Sequence, residues 1–475
     1  MRLYNTPHRA LEEFVPINNS GVTLYTCGPT VYSEPHIGNW ISFLRWDLLV
    51  RVLQQNDYTL HRVMNITDVG HLTSDQDEGE DKIQKGARQE GISEWEVAEK
   101  YTKAFLEGML ALGMIMPEHI TKATEHIDIQ IELLKKIESR GHTYMLEDGL
   151  YFDTSTFPKY AEFAKLDLSN IKAGARVAFN TEKRNASDFV LWRLTPQDQH
   201  RAMEWESPWG KGIPGWHLEC SAMALHYLGE TIDIHTGGVD HIPVHHTNEI
   251  AQSESATGQP FVKYWLHNAH LLSDGTKLSK SLQNSYTLKD IDARGYLPMD
   301  LRMFALQSHY RTETNFSWQN LEAAHNRLMS WRRAACLRWQ LDDICRSFDE
   351  GTGNNTIAMG IQQANEALQD DLNSPEALVA IEQIFEQVHT AVSEHKKVDS
   401  RQFGDLIDWV DNNLGLHLAG HTPNISAESR TRITERADAK SHGDYERADA
   451  IRAQLEQESI YLDDTPYGTI WYSTQ

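Results

Sequence analysis

The stretch Gly21-Val22-Thr23-Leu24-Tyr25-Thr26-Cys27-Gly28-Pro29, followed after a short loop by His36-Ile37-Gly38-Asn39, decides the fold. An apolar run rich in β-formers ends at a Gly-Pro breaker, and Ile41, Leu44, Leu48 and Val52 then recur at helical spacing. Strand, loop and helix in that order put the loop at the C-terminal end of a strand, where an open α/β sheet binds its ligands. One loop therefore joins a thiol to a turn suited to a nucleotide phosphate.

Moving outward, residues 58–66 read as a second strand, which makes a βαβ unit and predicts parallel strands with a right-handed crossover. Helical spacing covers about 93–112 and 124–140, the latter ended by Gly141. Residues 142–200 change character, with short strands such as Leu150-Tyr151-Phe152 between polar loops, and read as an insertion. The α/β pattern resumes at Gly215-Trp216-His217 and continues through strands at 231–235 and 261–266, so a single nucleotide-binding sheet is predicted to be split in two. From Trp318 the chain turns helical. A Gly/Asn-rich linker at 351–355 and a second near 420–425 set off a helical segment, 356–418, and a small C-terminal unit ending in the strand-like Gly468–Tyr472.

The 475 residues exceed one ordinary core. Residues 1–8 lack a secretory apolar stretch, and the longest apolar region, 105–116, is interrupted by Glu107 and too short to span a bilayer. A soluble cytoplasmic protein is expected. Four cysteines, at 27, 220, 336 and 345, are too scattered for a disulfide scaffold. The net charge of −24 argues against a fieldlike attraction to nucleic acid, leaving local basic patches at Arg327, Arg332, Arg333 and Arg338 and along the C-terminal helices from Arg430 to Arg452.

His36-Ile37-Gly38-Asn39 lies at a helix N-terminus, where free N–H groups and the dipole favour a phosphate, and Gly38 permits close approach. Far downstream, Asp274-Gly275-Thr276-Lys277-Leu278-Ser279-Lys280-Ser281 sets two lysines about a serine, which suits a leaving pyrophosphate. Singly, an ordinary loop capped by Asn39 and a solvated lysine turn are the better readings. Together, in the right order at opposite ends of one split sheet, they strengthen each other as parts of one nucleotide site with a pyrophosphate leaving group. Gly215–Cys220 adds a thiol at a helix start, and His245 and Glu249 share a helix face at i, i+4. Cys27, Cys220, His245 and Glu249 would supply two thiolates, an imidazole and a carboxylate, a reasonable zinc donor set, although spacing alone also fits buried core residues.

The paired motifs resemble the class I aminoacyl-tRNA synthetase signatures HIGH and KMSKS, which stand here as HIGN at 36–39 and KLSKS at 277–281. Asn39 departs from the commonest form: it carries no charge but still donates hydrogen bonds. The segments 26–32, 65–69, 215–220, 245–250, 370–377 and 445–452 together resemble the cysteinyl-tRNA synthetase family. The resemblance implies a split Rossmann-like α/β catalytic domain at 1–141 and 206–272, interrupted by a connective insertion at 142–205. A KLSKS and stem-contact region at 273–317, a helical tRNA-binding bundle at 318–420 and an anticodon-binding unit at 421–475 would follow.

By the same resemblance the chain would activate L-cysteine with ATP and transfer it to tRNA(Cys), as a monomer without a membrane partner. One Zn2+ per chain, on Cys27, Cys220, His245 and Glu249, would receive the substrate thiolate, with Mg2+ accompanying ATP. His36, Asn39, Lys277 and Lys280 would be catalytic, with Gly38, Ser279 and Ser281 completing the ATP site. Thr67, Trp216, His217 and Asp240 would hold the amino acid. Zinc answers a selectivity problem, because a plain pocket separates near-isosteres such as cysteine and serine weakly while a soft thiolate bonds zinc far better than a hydroxyl. A related ligase that joins cysteine to an amino-sugar shares this site but lacks an anticodon-binding region, so the helical residues from 318 onward count against it.

Overall fold

The computed structural model describes residues 1–70, 81–166, 182–196, 198, 201–273, 275–277, 284–345, 354–465 and 468–473, with backbone only at 277, 354 and 355. The chain forms two compact units, one of residues 1–290 and 310–314, the other of 291–309 and 315–475.

The first unit opens with a hairpin, β1 (Arg2–Asn5) and β2 (Ala10–Glu13), and then enters β3 (Val22–Thr26), α1 (Ile37–Gln55) and β4 (Leu60–Ile66). Two helices follow, α2 (Lys82–Glu90) and α3 (Glu94–Ala111), and then β5 (His119–Lys122) and α4 (Ile127–Ser139). Strands β6 (Thr143–Leu146), β7 (Gly149–Phe152), β8 (Phe189–Leu194) and β9 (Gly212–Pro214) make an antiparallel sheet in sequential order. The chain then runs through α5 (Trp216–Leu228), β10 (Ile232–Gly238), α6 (Thr247–Thr257) and β11 (Val262–Asn268), and ends in the short pair β12 (Leu271–Ser273) and β13 (Thr276–Lys277).

The main sheet has the order β11-β10-β3-β4-β5, parallel throughout. β3 is central because four of its five residues are buried, as a strand covered on both faces requires. To one side the chain continues through β4 and β5; to the other lie β10 and β11, contributed after the β6–β9 insertion. The order reverses between β3 and β10, and such a switch point opens a crevice at the strands' C-terminal ends. α1 is buried on nearly every side, with Trp40, Ile41, Leu44 and Leu48 among its buried residues, as an apolar helix enclosed by a large domain should be. Asp233 ties the sheet's N-terminal end together: its carboxylate accepts from the Ile17 amide and from the Thr23 amide and hydroxyl. Among the described residues no helix is long and apolar enough to cross a membrane.

The second unit is mainly helical. Helices Asn354–Gln369 and Ser374–Ser393 are joined through Asp371 and Leu372, both at positive φ. Helices Ala427–Ser441 and Tyr445–Gln457 precede an antiparallel pair, Ile460–Thr465 with Gly468–Ser473, and Ile451, Leu455, Leu462 and Trp471 pack into one core. The arginines read as basic patches are largely engaged within the unit. Arg436 grips Asp464 with two bonds of 2.8 Å, Arg432 pairs with Glu458 at 2.7 Å, and Arg338 donates to the Ala419 and Thr422 carbonyls. Arg327 pairs with Glu382.

Candidate active site and metal centre

The site begins where β3 ends. A Cβ on Gly28 would lie 1.7 Å from the Asn65 carbonyl oxygen, so the loop after Cys27 crosses the end of β4 in backbone contact. The Gly28 amide donates to Asn65 Oδ1 at 2.7 Å, Asn65 Nδ2 donates to the Thr67 hydroxyl, and that hydroxyl donates to the buried Glu219 at 2.8 Å. The ends of β3 and β4 are thereby locked to α5.

Cys27, Cys220, His245 and Glu249 are all buried, and one ligand atom from each lies within 4.8 Å of every other. Cys220 sits in the second turn of α5. His245 belongs to a π-helical turn, Ile242–His246, that leads into α6, and Glu249 lies in the first turn of α6. A second grouping, Cys27, His235, His246 and Glu249, shares two members with the first. The two differ in chemistry. The first offers two sulfurs, which favour zinc; the second offers one, and both of its histidines are already bonded. His246 Nδ1 meets His267 Nε2 at 2.7 Å and its Nε2 lies 3.5 Å from Cys27 Sγ, while His235 Nε2 is 2.8 Å from Glu249 Oε2.

Glu249 Oε1 is buried without a hydrogen bond although His245 Nε2 is 3.0 Å away. Ring and carboxylate thus face a common point beside the two sulfurs, the arrangement a metal ion requires. Burial alone would neutralise both groups. For His245 the opposing pull of the Glu249 carboxylate and of Cys220 wins and raises its pKa to about 10; for Glu249 the charges on His235 and His245 win and lower its pKa to about 2. Burial holds His241 down at about 4 and His246 well below the usual range, so both are neutral at pH 7. Glu249 is therefore an anion, and the positive charge beside it is a proton that a metal can replace.

Cys27, Cys220 and His245 share the wall of a cavity of about 400 Å³ with His36, Gly38 and Asn39. Thr67, Trp216 and Asp240 also line it. His217 does not: it stands behind His245, Nδ1 to Nδ1 at 2.8 Å. The His36 turn is a reciprocal cap on α1, the Asn39 amide donating to His36 Nδ1 and the His36 amide donating to Asn39 Oδ1. With Nδ1 accepting, the neutral ring carries its proton on Nε2.

The second motif leaves and returns beside this turn. Leu271 of β12 lines the cavity, and on the far side of the motif the Ile37 amide donates to the Tyr286 carbonyl at 2.7 Å while His36 bridges Thr287. Lys277 contributes backbone to β13; its side chain, and Leu278, Ser279, Lys280 and Ser281, lie outside the described residues. Sequence reasoning missed Lys82, which also lines the cavity. The pair Asp81-Lys82 at the start of a helix was the available signal.

The family profile for the class I (C) tRNA synthetase catalytic domain matches residues 13–326. The chain is 41% identical to a cysteine–tRNA ligase of Treponema denticola, over 99% of both chains. It is 40% identical to cysteine–tRNA ligase 1 of Burkholderia lata, over 98% of this chain and 96% of that one. Among solved structures, methionyl-tRNA synthetase of Mycobacterium tuberculosis in complex with methionyl-adenylate superposes with a TM-score of 0.58 at 14% identity, covering 84% of this chain and 90% of that one, a likeness of fold. Fold, buried metal-ligand cluster and end-to-end similarity agree: the chain belongs to the cysteine–tRNA ligase family of class I tRNA synthetases.

Proposed function

We propose that the protein is a cysteine–tRNA ligase that converts L-cysteine and ATP to cysteinyl-adenylate and pyrophosphate, then passes the cysteinyl group to the terminal adenosine of tRNA(Cys). The observation that carries the reading is the shared cavity in which Cys27, Cys220 and His245 adjoin the His36–Asn39 turn. Zinc suits the donor set of Cys27, Cys220, His245 and Glu249, and when bound it supplies a Lewis acid that favours a thiolate over a hydroxyl.

The substrate carboxylate is the nucleophile, so the chain's task is positioning and charge stabilisation. His36 donates through Nε2–H to ATP phosphoryl oxygens, and the positive end of the α1 dipole favours the same charge. Asp240 takes the substrate ammonium, Thr67 borders it, and Trp216 forms a wall. His217 acts through His245. Lys277, Ser279, Lys280 and Ser281 would serve the departing pyrophosphate, and Mg2+ accompanying ATP would help offset its charge. The helical and C-terminal units bind the tRNA, and the chain acts as a cytoplasmic monomer.

The test is metal content together with cysteine-dependent ATP–pyrophosphate exchange. Cys27→Ser and His245→Ala are expected to lose zinc and exchange together; stoichiometric zinc in both variants would sink the assigned site. Lys280→Ala is expected to slow adenylate formation far more than it weakens cysteine binding.

A further inference from the structure

Lys82 is the one lysine or arginine among the described residues lining the cavity that holds Cys27 and Cys220. Its position is built. Asp81 caps α2, its Oδ1 accepting from the Ile83 and Gln84 amides at 2.9 and 3.1 Å. One turn on, a Cβ at Gly86 would approach the Tyr32 carbonyl oxygen to 3.2 Å, so α2 lies directly on the loop that follows β3. Residues 82 and 86 share a helix face, which turns the Lys82 stem toward that loop. The ammonium ends 5.2 Å from the Trp216 ring centroid and 5.8 Å from that of Tyr32. The Trp216 ring lies in turn 5.0 Å from the ring of the metal ligand His245. The cation thus stands at the amino-acid part of the cavity.

A free amino acid brings two charged groups besides its side chain. Asp240, on the same wall, has the sign for the ammonium, and the carboxylate needs a cation. The two aromatic faces beneath the ammonium restrict its long stem in advance, which favours capture of an anion. A lysine also leaves the carboxylate ionised, as a nucleophile must be, because its ordinary pKa near ~10.4 far exceeds that of a carboxyl.

We propose that Lys82 binds the α-carboxylate of the amino-acid substrate and orients it for attack on ATP. This rests on the cysteine-ligase reading and names the residue that reads the acid end of the substrate. It makes the site selective for an amino acid over the corresponding amine.

The test uses the full chain loaded with Co2+, whose sulfur-to-metal absorption reports thiolate binding without turnover, titrated with L-cysteine and with cysteamine, which lacks the carboxylate. Lys82→Met is expected to weaken cysteine by ~10- to 100-fold, the range of a hydrogen bond to a charged group, and to leave cysteamine unchanged. Lys82→Arg should restore most of the cysteine affinity. Equal weakening of both thiols, or of neither, overturns the proposal while leaving the ligase reading intact. Absence of a cysteine-induced band in the unsubstituted protein overturns the ligase reading, and the proposal with it.

Discussion

His217 and His245 meet nitrogen to nitrogen, Nδ1 to Nδ1 at 2.8 Å, in a fully buried contact. One ring must donate and the other accept. With His245 Nε2 facing Glu249 and the metal position, its Nδ1 is the natural donor, and His217 fixes both the tautomer and the plane of the ligand. His217→Ala is expected to lower metal affinity about 10- to 100-fold, measured by competition with a chelator. Unchanged affinity would remove His217 from this role.

Asn39 holds the His36 turn through its Oδ1 and its own amide. Asn39→Ala removes the side-chain half of that reciprocal cap. It should destabilise the protein by about 1 kcal/mol in urea unfolding and raise the KM for ATP more than that for cysteine. A larger effect on cysteine would place the residue at the wrong substrate.

Gly28 has no room for a side chain, since the Asn65 carbonyl occupies the space a Cβ would take. Gly28→Ala should force β3 and β4 apart at their ends, costing ~1–3 kcal/mol or more and displacing Cys27. Reduced metal content alongside a lowered Tm is the expected result; native metal content at native Tm would contradict the packing.

In the C-terminal unit, the Arg436 guanidinium, with Lys440 and Thr469, holds the Asp464 carboxyl well below its ordinary 3.8. The folded pKa lies below the unfolded one, so the unfolded state takes up protons first as pH falls. The stabilisation is present above pH ~4 and is lost toward the folded value. Asp464→Asn should therefore lower the urea midpoint at pH 7, and the gap to the parent protein should narrow at pH 3.

The βαβ opening was legible because β3 and α1 are buried strongly enough to show their periods, and the boundaries of α1 agree with the helical spacing from Ile41 to Val52. The hairpin of β1 and β2 and the strand β5 left no such trace: each is four residues long, β2 buries none of its side chains, and one of the two residues that β1 buries is the polar Asn5. The meeting of Cys27 and Cys220 with His245 and Glu249 was legible only through resemblance, since no local pattern says that β3 will pair with β10. The i, i+4 relation of His245 and Glu249 was readable, whereas the π-helical turn that carries His245 has no sequence signal. Nor does the sequence reveal that His217 lies behind a ligand and off the cavity wall; that depends on which way α5 rolls against α6.

The sheet order has a consequence for how the chain is made. β3 leaves the ribosome well before one of its two neighbours, β10, which is encoded beyond the whole insertion, as are Cys220, His245 and Glu249. During synthesis Cys27 and one edge of β3 must stay without native partners until the chain has grown past β10 and α6, and a sheet closed by such distant pairing forms slowly. Metal loading at this cluster then waits for β10 and α6 to dock beside β3. A bound ion is a certificate that both halves have met, and nascent chains ended before α6 belong to the population that needs a chaperone.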